Sequence, residues 1–296
     1  MIRKATLEDA KTLWELANQH ELRVDPDFEA YPLSEIEEQI TGYSEPGHPF
    51  LLDKNGVVAC VFIHPDTPRG RIEIDLFTIG SKDQTSALFG FALDWAKEFY
   101  PEFELRSACN KLDKDLLEIF ENSGLSFTRD YYKLQLNQLS TQYPTLPPGV
   151  DIVSVDLEAS GELLHHLESE SFSNHFGYVK VSAEDWIRER LALTTNDPKG
   201  TFVVYVGQEA AGFLISSDFR ADVNGGWVDK LGVLEKYRGQ GLGKLLLQWG
   251  AAHAANKGFT SLALGADTGN DSGALELYFK MGFEVQLSWR MYSRKK

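Results

Sequence analysis

The segment Gln138–Gly149, QLSTQYPTLPPG, cuts the chain in two, because Pro144, Pro147, Pro148 and Gly149 break any periodicity and remove backbone donors. On either side the same order of elements is expected: a short strand, amphipathic helices, three strands, a long helix, a strand, a helix and two closing strands. Residues 1–137 and 150–296 therefore read as two domains joined by a linker over 138–149, each long enough to close its own core. Strands alternating with helices place both in the α/β class, more narrowly α+β, with a central mixed β-sheet flanked by helices. The repetition reaches individual residues. Leu117–Phe127 (LEIFENSGLSF) aligns without a gap on Leu275–Val285 (LELYFKMGFEV) at a shift of 158, which lays Gly124 on Gly282. At the heads, Ile2, Leu7 and Glu8 match Ile152, Leu157 and Glu158 at a shift of 150.

Charge narrows the range of partners. The 296 residues carry 29 basic and 44 acidic side chains, a net charge of −15 that repels phosphate backbones, so nucleic acid is not an expected partner. Through residue 140 there are 14 basic against 25 acidic side chains, which leaves the second half the better host for an anion. Cys60 and Cys109 sit in apolar surroundings and read as small buried hydrophobes, not as a disulfide or a metal site. The N-terminal MIRKATLEDA lacks the apolar core of a secretory signal, and no apolar run reaches the roughly 18 residues of a membrane span; a cytoplasmic enzyme without a membrane partner is expected.

Chemistry concentrates between Gly226 and Lys257, where an apolar strand passes through a glycine-rich turn into a helix. Simple alternation puts Trp227, Asp229, Leu231 and Val233 on one face of that strand and Val228, Lys230 and Gly232 on the other. Leu242, Leu245, Leu246, Trp249 and His253 recur at helical spacing and form the expected buried stripe of the helix. Gly239, Gly241 and Gly243 leave successive backbone N–H groups and a positive helix end aimed at one point, flanked by Arg238 and Lys244, which suits a pyrophosphate. A Walker loop needs Ser or Thr where Leu245 stands, and the G-x-G-x-G spacing differs from the dinucleotide fingerprint. Among the histidines, adjacent His165 and His166 point in different directions on a helix, His175 reads as a surface residue and His253 as a helix-face residue, so no metal site is expected.

Arg238, Gly241 and Gly243 match the Q/R-x-x-G-x-G/A signature of the GNAT superfamily of N-acetyltransferases. Asn270 with the run Gly273–Phe283, GALELYFKMGF, resembles the N-x-x-G-A-x-x-L-Y-x-x-x-G-F segment of that superfamily. The resemblance covers residues 150–296 and, by element order, the first half, so the whole is similar to tandem GNAT proteins of the mycothiol synthase type; Ser171–Tyr178, SFSNHFGY, adds to that likeness. The resemblance implies acetyl-CoA as co-substrate. Backbone amides of Gly239, Gln240, Gly241, Leu242, Gly243 and Lys244 would hold its pyrophosphate, with Arg238 and Asn270 close by, and Leu231, Gly232 and Val233 would pair with the pantetheine arm. Asp271 and Ser272, beside Asn270, also read as a helix N-cap. The resemblance implies direct acetyl transfer to an amine of a small molecule or peptide, with Tyr278 as proton donor to the thiolate and Asp229 at the position of the base. Trp227 stands where the mycothiol synthase type has Glu, a departure that bears on acceptor choice. The contrasting reading is a non-catalytic acyl-CoA-binding regulatory module.

Carried back by 158, the turn falls on Gly80–Thr85, GSKDQT, where Asp83 and Thr85 replace the glycines, and Phe120 falls on Tyr278. The first half is therefore expected to be a degenerate copy that binds no coenzyme and serves a structural or substrate-shaping role.

Overall fold

A computed structural model of the chain describes residues 1–26, 28, 30–41, 49–54, 56–270 and 273–295. The chain folds into two compact units. The first holds Met1–Tyr132, Asp267–Gly269 and Leu287–Lys296; the second holds Lys133–Ala266 and Asn270–Gln286. In chain order the first unit contains β1 (Ile2–Lys4), α1 (Ala10–Val24), α2 (Leu33–Thr41), β2 (Phe50–Asp53), β3 (Val57–Asp66), β4 (Arg71–Thr78), α3 (Lys82–Phe99), β5 (Glu104–Asn110) and α4 (Lys114–Asn122), and β6 (Ser126–Leu136) starts in it. The second contains β7 (Val150–Ser154), α5 (Gly161–Phe172), α6 (Ala183–Leu191), β8 (Asn196–Val206), β9 (Glu209–Ser217), β10 (Gly225–Val233), α7 (Leu242–Asn256), β11 (Ser261–Asp267, its last residue assigned to the first unit) and α8 (Ala274–Lys280). The last strand, β12 (Glu284–Arg294), starts in the second unit and ends in the first.

Each unit has the expected mixed sheet. In the first, β1 to β4 pair antiparallel in succession, β4 and β5 run parallel, and the end of β12 pairs antiparallel with β5 from Trp289↔Asn110 to Arg294↔Leu105. In the second, β7 to β10 pair antiparallel and β10 runs parallel to β11. Both parallel ladders stop early. The β4–β5 ladder ends at Ile74↔Ser107 although β4 continues to Thr78, and the β10–β11 ladder ends at Val228↔Leu264 although β10 continues to Val233. Beyond those points the strands splay apart, and their facing edges lack sheet partners.

The two-residue period of β3 shows why helices cover both faces. Ala59, Val61 and Ile63 join Leu88, Phe89 and Ala92 of α3, while Cys60 and Phe62 join Leu13, Leu16 and Ala17 of α1. Cys60 and Cys109 are both buried, unbridged thiols. In the second unit Leu164 and Leu167 of α5 pack with Trp186 of α6 on Val203, Phe213 and Ile215. The buried face of α7 is Leu242, Leu246, Leu247, Gly250, Ala251 and Ala254, which corrects the expected stripe: Leu245 and Trp249 are only half-buried. Small residues turn the helix. A Cβ on Gly250 would lie 3.1 Å from Leu214 Cδ1, so this side can press closest to the sheet, and Trp249 instead stacks 4.5 Å from Tyr143. His253 faces outward enough to hold Asp197 at 2.7 Å, and Lys257 meets the same carboxylate at 2.8 Å. The irregular segment before β7 is tied to the second unit, with Asn256 Nδ2 donating to the Thr141 carbonyl at 2.9 Å.

The splayed gap of the first unit is occupied by its own side chains. His20 Nδ1 lies 2.9 Å from the Thr78 carbonyl at the end of β4, and His20 Nε2 lies 3.5 Å from Asp113, just past β5. Next to it, Glu21 accepts from Tyr31 Oη at 3.3 Å and from Asn110 Nδ2 at 3.5 Å. Burial pushes the Glu21 pKa up to about 7, opposed by those two hydrogen bonds. The folded state therefore holds a proton that the unfolded chain releases near pH 4.5, and this group removes stability as pH rises from there to above 7. Urea unfolding followed at pH 5 and pH 8 should show stability falling with pH by up to about 3 kcal/mol from this group, and Glu21→Gln should remove most of that fall.

Candidate active site

One extra residue in β10 shapes the second unit's gap. Its register with β9 runs Trp227↔Ser217 and Val228↔Ser216, then resumes at Lys230↔Ile215, so Asp229 is a β-bulge. A bulge interrupts alternation, and this corrects the simple assignment of faces. Asp229 and Lys230 both turn toward α5 and α6. Ser217 Oγ donates to Asp229 Oδ1 at 3.4 Å, and Arg190 Nη1 of α6 lies 3.9 Å from Oδ2. Lys230 Nζ lies 3.6 Å from Glu168 Oε1 and 5.5 Å over the Phe172 ring, both on α5. Gly232 faces the same way, and its missing side chain matters: a Cβ would lie 2.5 Å from Phe213 Cε1 and 3.0 Å from Ser171. Leu231 pairs with Leu214 on the opposite, α7 side.

Burial pushes the Asp229 carboxyl pKa up, with Arg190, the Ser217 hydrogen bond and Lys230 pulling against it. Oδ2 has no hydrogen-bond partner among the described residues. Nearby, Glu168 accepts from the Trp186 indole at 3.1 Å, which anchors the stem of this charged group. His165 Nε2 lies 3.0 Å from the Val181 carbonyl and 3.3 Å from Ser169 Oγ, and the His175 ring lies 4.5 Å from Phe172. No group of three or more metal-ligating side chains occurs among the described residues.

At the open end of the gap the chain turns into α7. Gly239 and Gly241 have φ of 75° and 81°, a left-handed conformation that glycine adopts without strain, and nothing lies within 4 Å of where their Cβ atoms would be. Gly241 caps α7 with no side-chain hydrogen bond, which leaves the first-turn N–H groups, from Leu242 through Lys244, directed out of the helix. Arg238 folds back: Nε donates to the Val233 carbonyl at 3.1 Å and Nη2 to the Ser171 carbonyl at 2.9 Å. It thereby ties the end of β10 to the end of α5. Gln240 Nε2 donates to the Lys236 carbonyl at 3.4 Å. Gly243 comes within ordinary contact, 3.5 Å, of Leu277 on α8. The next residue of α8, Tyr278, is buried, its ring 6.0 Å from Phe283, and its hydroxyl has no hydrogen-bond partner among the described residues. Burial pushes its pKa up to about 12. Asn270 follows β11; Asp271 and Ser272, read as an N-cap, lie outside the described residues, and α8 starts after Gly273 at φ 76°.

In the first unit β4 and β5 also part, but the register, the helix end and the contents of the gap differ. The β3–β4 register runs from Ala59↔Thr78 to Asp66↔Arg71 without a shift. The helix after β4 is closed by its own capping box, Ser81 Oγ accepting from Gln84 N and Gln84 Oε1 from Ser81 N at 2.9 Å. Thr85 is buried against Thr78 at 2.8 Å, and Phe120 is fully buried, 5.0 Å from Phe89. The site thus brings Asp229, Leu231–Val233, Arg238–Lys244 and Tyr278 onto one unit. Sequence reasoning did not single out Glu168 or Arg190, which come from helices distant from β10 in the chain and carry no motif; Ser171 entered it only as the start of the SFSNHFGY stretch.

The sequence profile of the acetyltransferase (GNAT) family matches residues 162–283. A mycothiol acetyltransferase of Streptomyces griseus subsp. griseus is 30% identical over 175 residues, 57% of this chain and 56% of that protein. One of Catenulispora acidiphila is 28% identical over 153 residues, 50% of this chain and 48% of that protein, so the chain spans about half the length of the curated relatives it matches. Among solved structures, a GCN5-related N-acetyltransferase from Sphaerobacter thermophilus superposes with a TM-score of 0.80 at 17% identity, over 99% of this chain and 95% of that one. A tandem GNAT protein from the clavulanic acid biosynthesis pathway superposes with a TM-score of 0.75 at 14% identity, over 99% of this chain and 98% of its own.

Glycine substitutions separate conformational from steric demands. Gly241→Ala should cost stability by about 1–2 kcal/mol from the left-handed backbone alone. Gly232→Ala should cost more because the new methyl meets Phe213, and Gly243→Ala should be nearly neutral; thermal unfolding of the three variants checks the order.

Proposed function

We propose that this chain, whose residues 162–283 match the acetyltransferase (GNAT) family, transfers acetyl from acetyl-CoA directly to an amine, using the residues of its second unit. One observation carries the reading: an unpaired strand edge in β10 runs into a helix N-terminus left without a side-chain cap, so backbone donors continue from the gap to the turn. An extended chain ending in a diphosphate suits such a track, the chain as an added strand and the anion at the helix end. In this reading Leu231, Gly232 and Val233 pair with the pantetheine arm. Gly239 through Lys244 hold the diphosphate, and Asn270 borders it. Arg238 acts by fixing the β10–α5 junction, since its guanidinium is engaged by two carbonyls.

Acetyl-CoA supplies the acyl group in an activated thioester. Asp229, on the bulge, faces the acceptor side, and its raised pKa makes it a stronger base toward an incoming ammonium than an exposed carboxylate. Asp229 takes one proton from the ammonium; the neutral amine then bonds to the acyl carbon as the C–S bond breaks, the Tyr278 hydroxyl hands a proton to the sulfur, and the second nitrogen proton passes through solvent to restore Tyr278. A phenol kept protonated by burial, with no hydrogen-bond partner among the described residues, is suited to donate. The first unit keeps the fold without this role in our reading, its helix end capped and its gap filled. The acceptor of the mycothiol acetyltransferases is not carried over, because the chain spans only about half the length of those proteins.

Calorimetric titration with acetyl-CoA should show one site per chain, abolished by Gly241→Asp, which places a carboxylate at the proposed diphosphate position. Tyr278→Phe should lower kcat by about 10- to 100-fold with acetyl-CoA affinity retained, measured as thiol release with amine acceptors. Two sites would restore the first unit to coenzyme binding, and unchanged kcat would remove Tyr278 from the chemistry.

A further inference from the structure

Arg190, in the last turn of α6, is a largely buried cation without a hydrogen bond. Its side chain is 15% exposed, and among the described residues its guanidinium meets only the Trp186 ring, 5.8 Å from the centroid, and Asp229 Oδ2 at 3.9 Å. That oxygen is buried and also lacks a hydrogen bond. A completed Arg–carboxylate pair closes to about 2.8 Å and satisfies the guanidinium fork. Here the two groups face each other beyond that distance, and five N–H donors have no acceptor among the described residues. The arrangement is held from behind, because Trp186, beneath the guanidinium, donates its indole N–H to Glu168 at 3.1 Å. The neighbouring Glu168–Lys230 pair, at 3.6 Å, balances its own charge.

We infer that Arg190 receives a carboxylate of the acceptor, and that the acceptor is an α-amino acid or a similarly small molecule with amine and carboxylate on adjacent carbons. The inference rests on the acetyl-transfer reading and names its substrate class. An amine at Asp229 and a carboxylate at Arg190 form a dipole opposed to that of the pair, and each end meets the charge it lacks. The close approach of Asp229 to Arg190 leaves room for a short spacing between the two groups and none for a long one. The anion is not the coenzyme diphosphate: β10 runs four more residues from Asp229 to Val233, about 13 Å of strand, before the turn begins. The planar fork also explains why Arg stands here, because it binds a carboxylate through two parallel hydrogen bonds where Lys offers a point charge.

The test is a comparison of α-amino acids with their own methyl esters and with simple alkylamines, followed by thiol release from acetyl-CoA. The acids should show a KM at least about tenfold lower than the esters, a difference of about 1.4 kcal/mol. In Arg190→Gln the acid-to-ester ratio should collapse toward one, and Arg190→Lys should retain part of it. Calorimetric titration of the same acids into CoA-saturated protein reads the subsite without chemistry. Arg190-dependent binding without thiol release supports the inference and rejects transfer. Thiol release with alkylamines or esters at no disadvantage to the acids rejects the inference and keeps transfer. Failure of every acid to bind, or an Arg190→Gln defect equal for acids and esters, also overturns it.

Discussion

The extra residue at Asp229 is the constraint on which the second unit's site depends. Opposite the consecutive residues Ile215–Ser217 of β9 it forces β10 to bulge, and with the loss of pairing to β11 past Val228 it leaves a strand edge open in the middle of a sheet. Unpaired backbone inside a fold is costly unless something meets it, so such an edge persists where a ligand or solvent does so. The bulge also sets two charged side chains of opposite sign next to each other on one face, which a regular strand cannot do. Everything proposed for catalysis uses one of these two effects.

The first unit supplies the control within the same chain. Its β4 and β5 also part, yet β3 and β4 stay in register, a capping box closes α3, and His20 and Asp113 enter the gap. Buried ionisable groups of that kind are expensive and are sustained by mutual contacts. Splaying alone therefore does not make a site; the open helix end and the shifted register must come with it.

Much of this was legible in the sequence because it rests on local signals. The alternation of strands and helices, the glycine turn and the exchange of Tyr278 for Phe120 are all stated by residue type and spacing. The bulge was not, since the run VDKLG contains nothing that distinguishes a regular strand from one with an extra residue, and a one-residue slip reverses every face. The stripe of α7 failed for a related reason: Leu245 and Leu247 are equally apolar, and small side chains at Gly250 and Ala254 decide which side approaches the sheet. Arg190 was out of reach because it meets Asp229 only through the packing of α6 on the sheet.

The path of β12 bears on how the chain is made as well as on how it stands. Residues Leu287–Lys296 belong to the first unit, and Trp289–Arg294 pair with β5, placing Tyr292 in that unit's core beside Phe120. These residues follow the second unit in the chain. The first unit to emerge must therefore wait, with the β5 edge uncovered, until the whole second unit has been synthesised. Folding order and chain order run opposite to each other here, because the amino-terminal half is completed by a strand that is synthesised after the second unit.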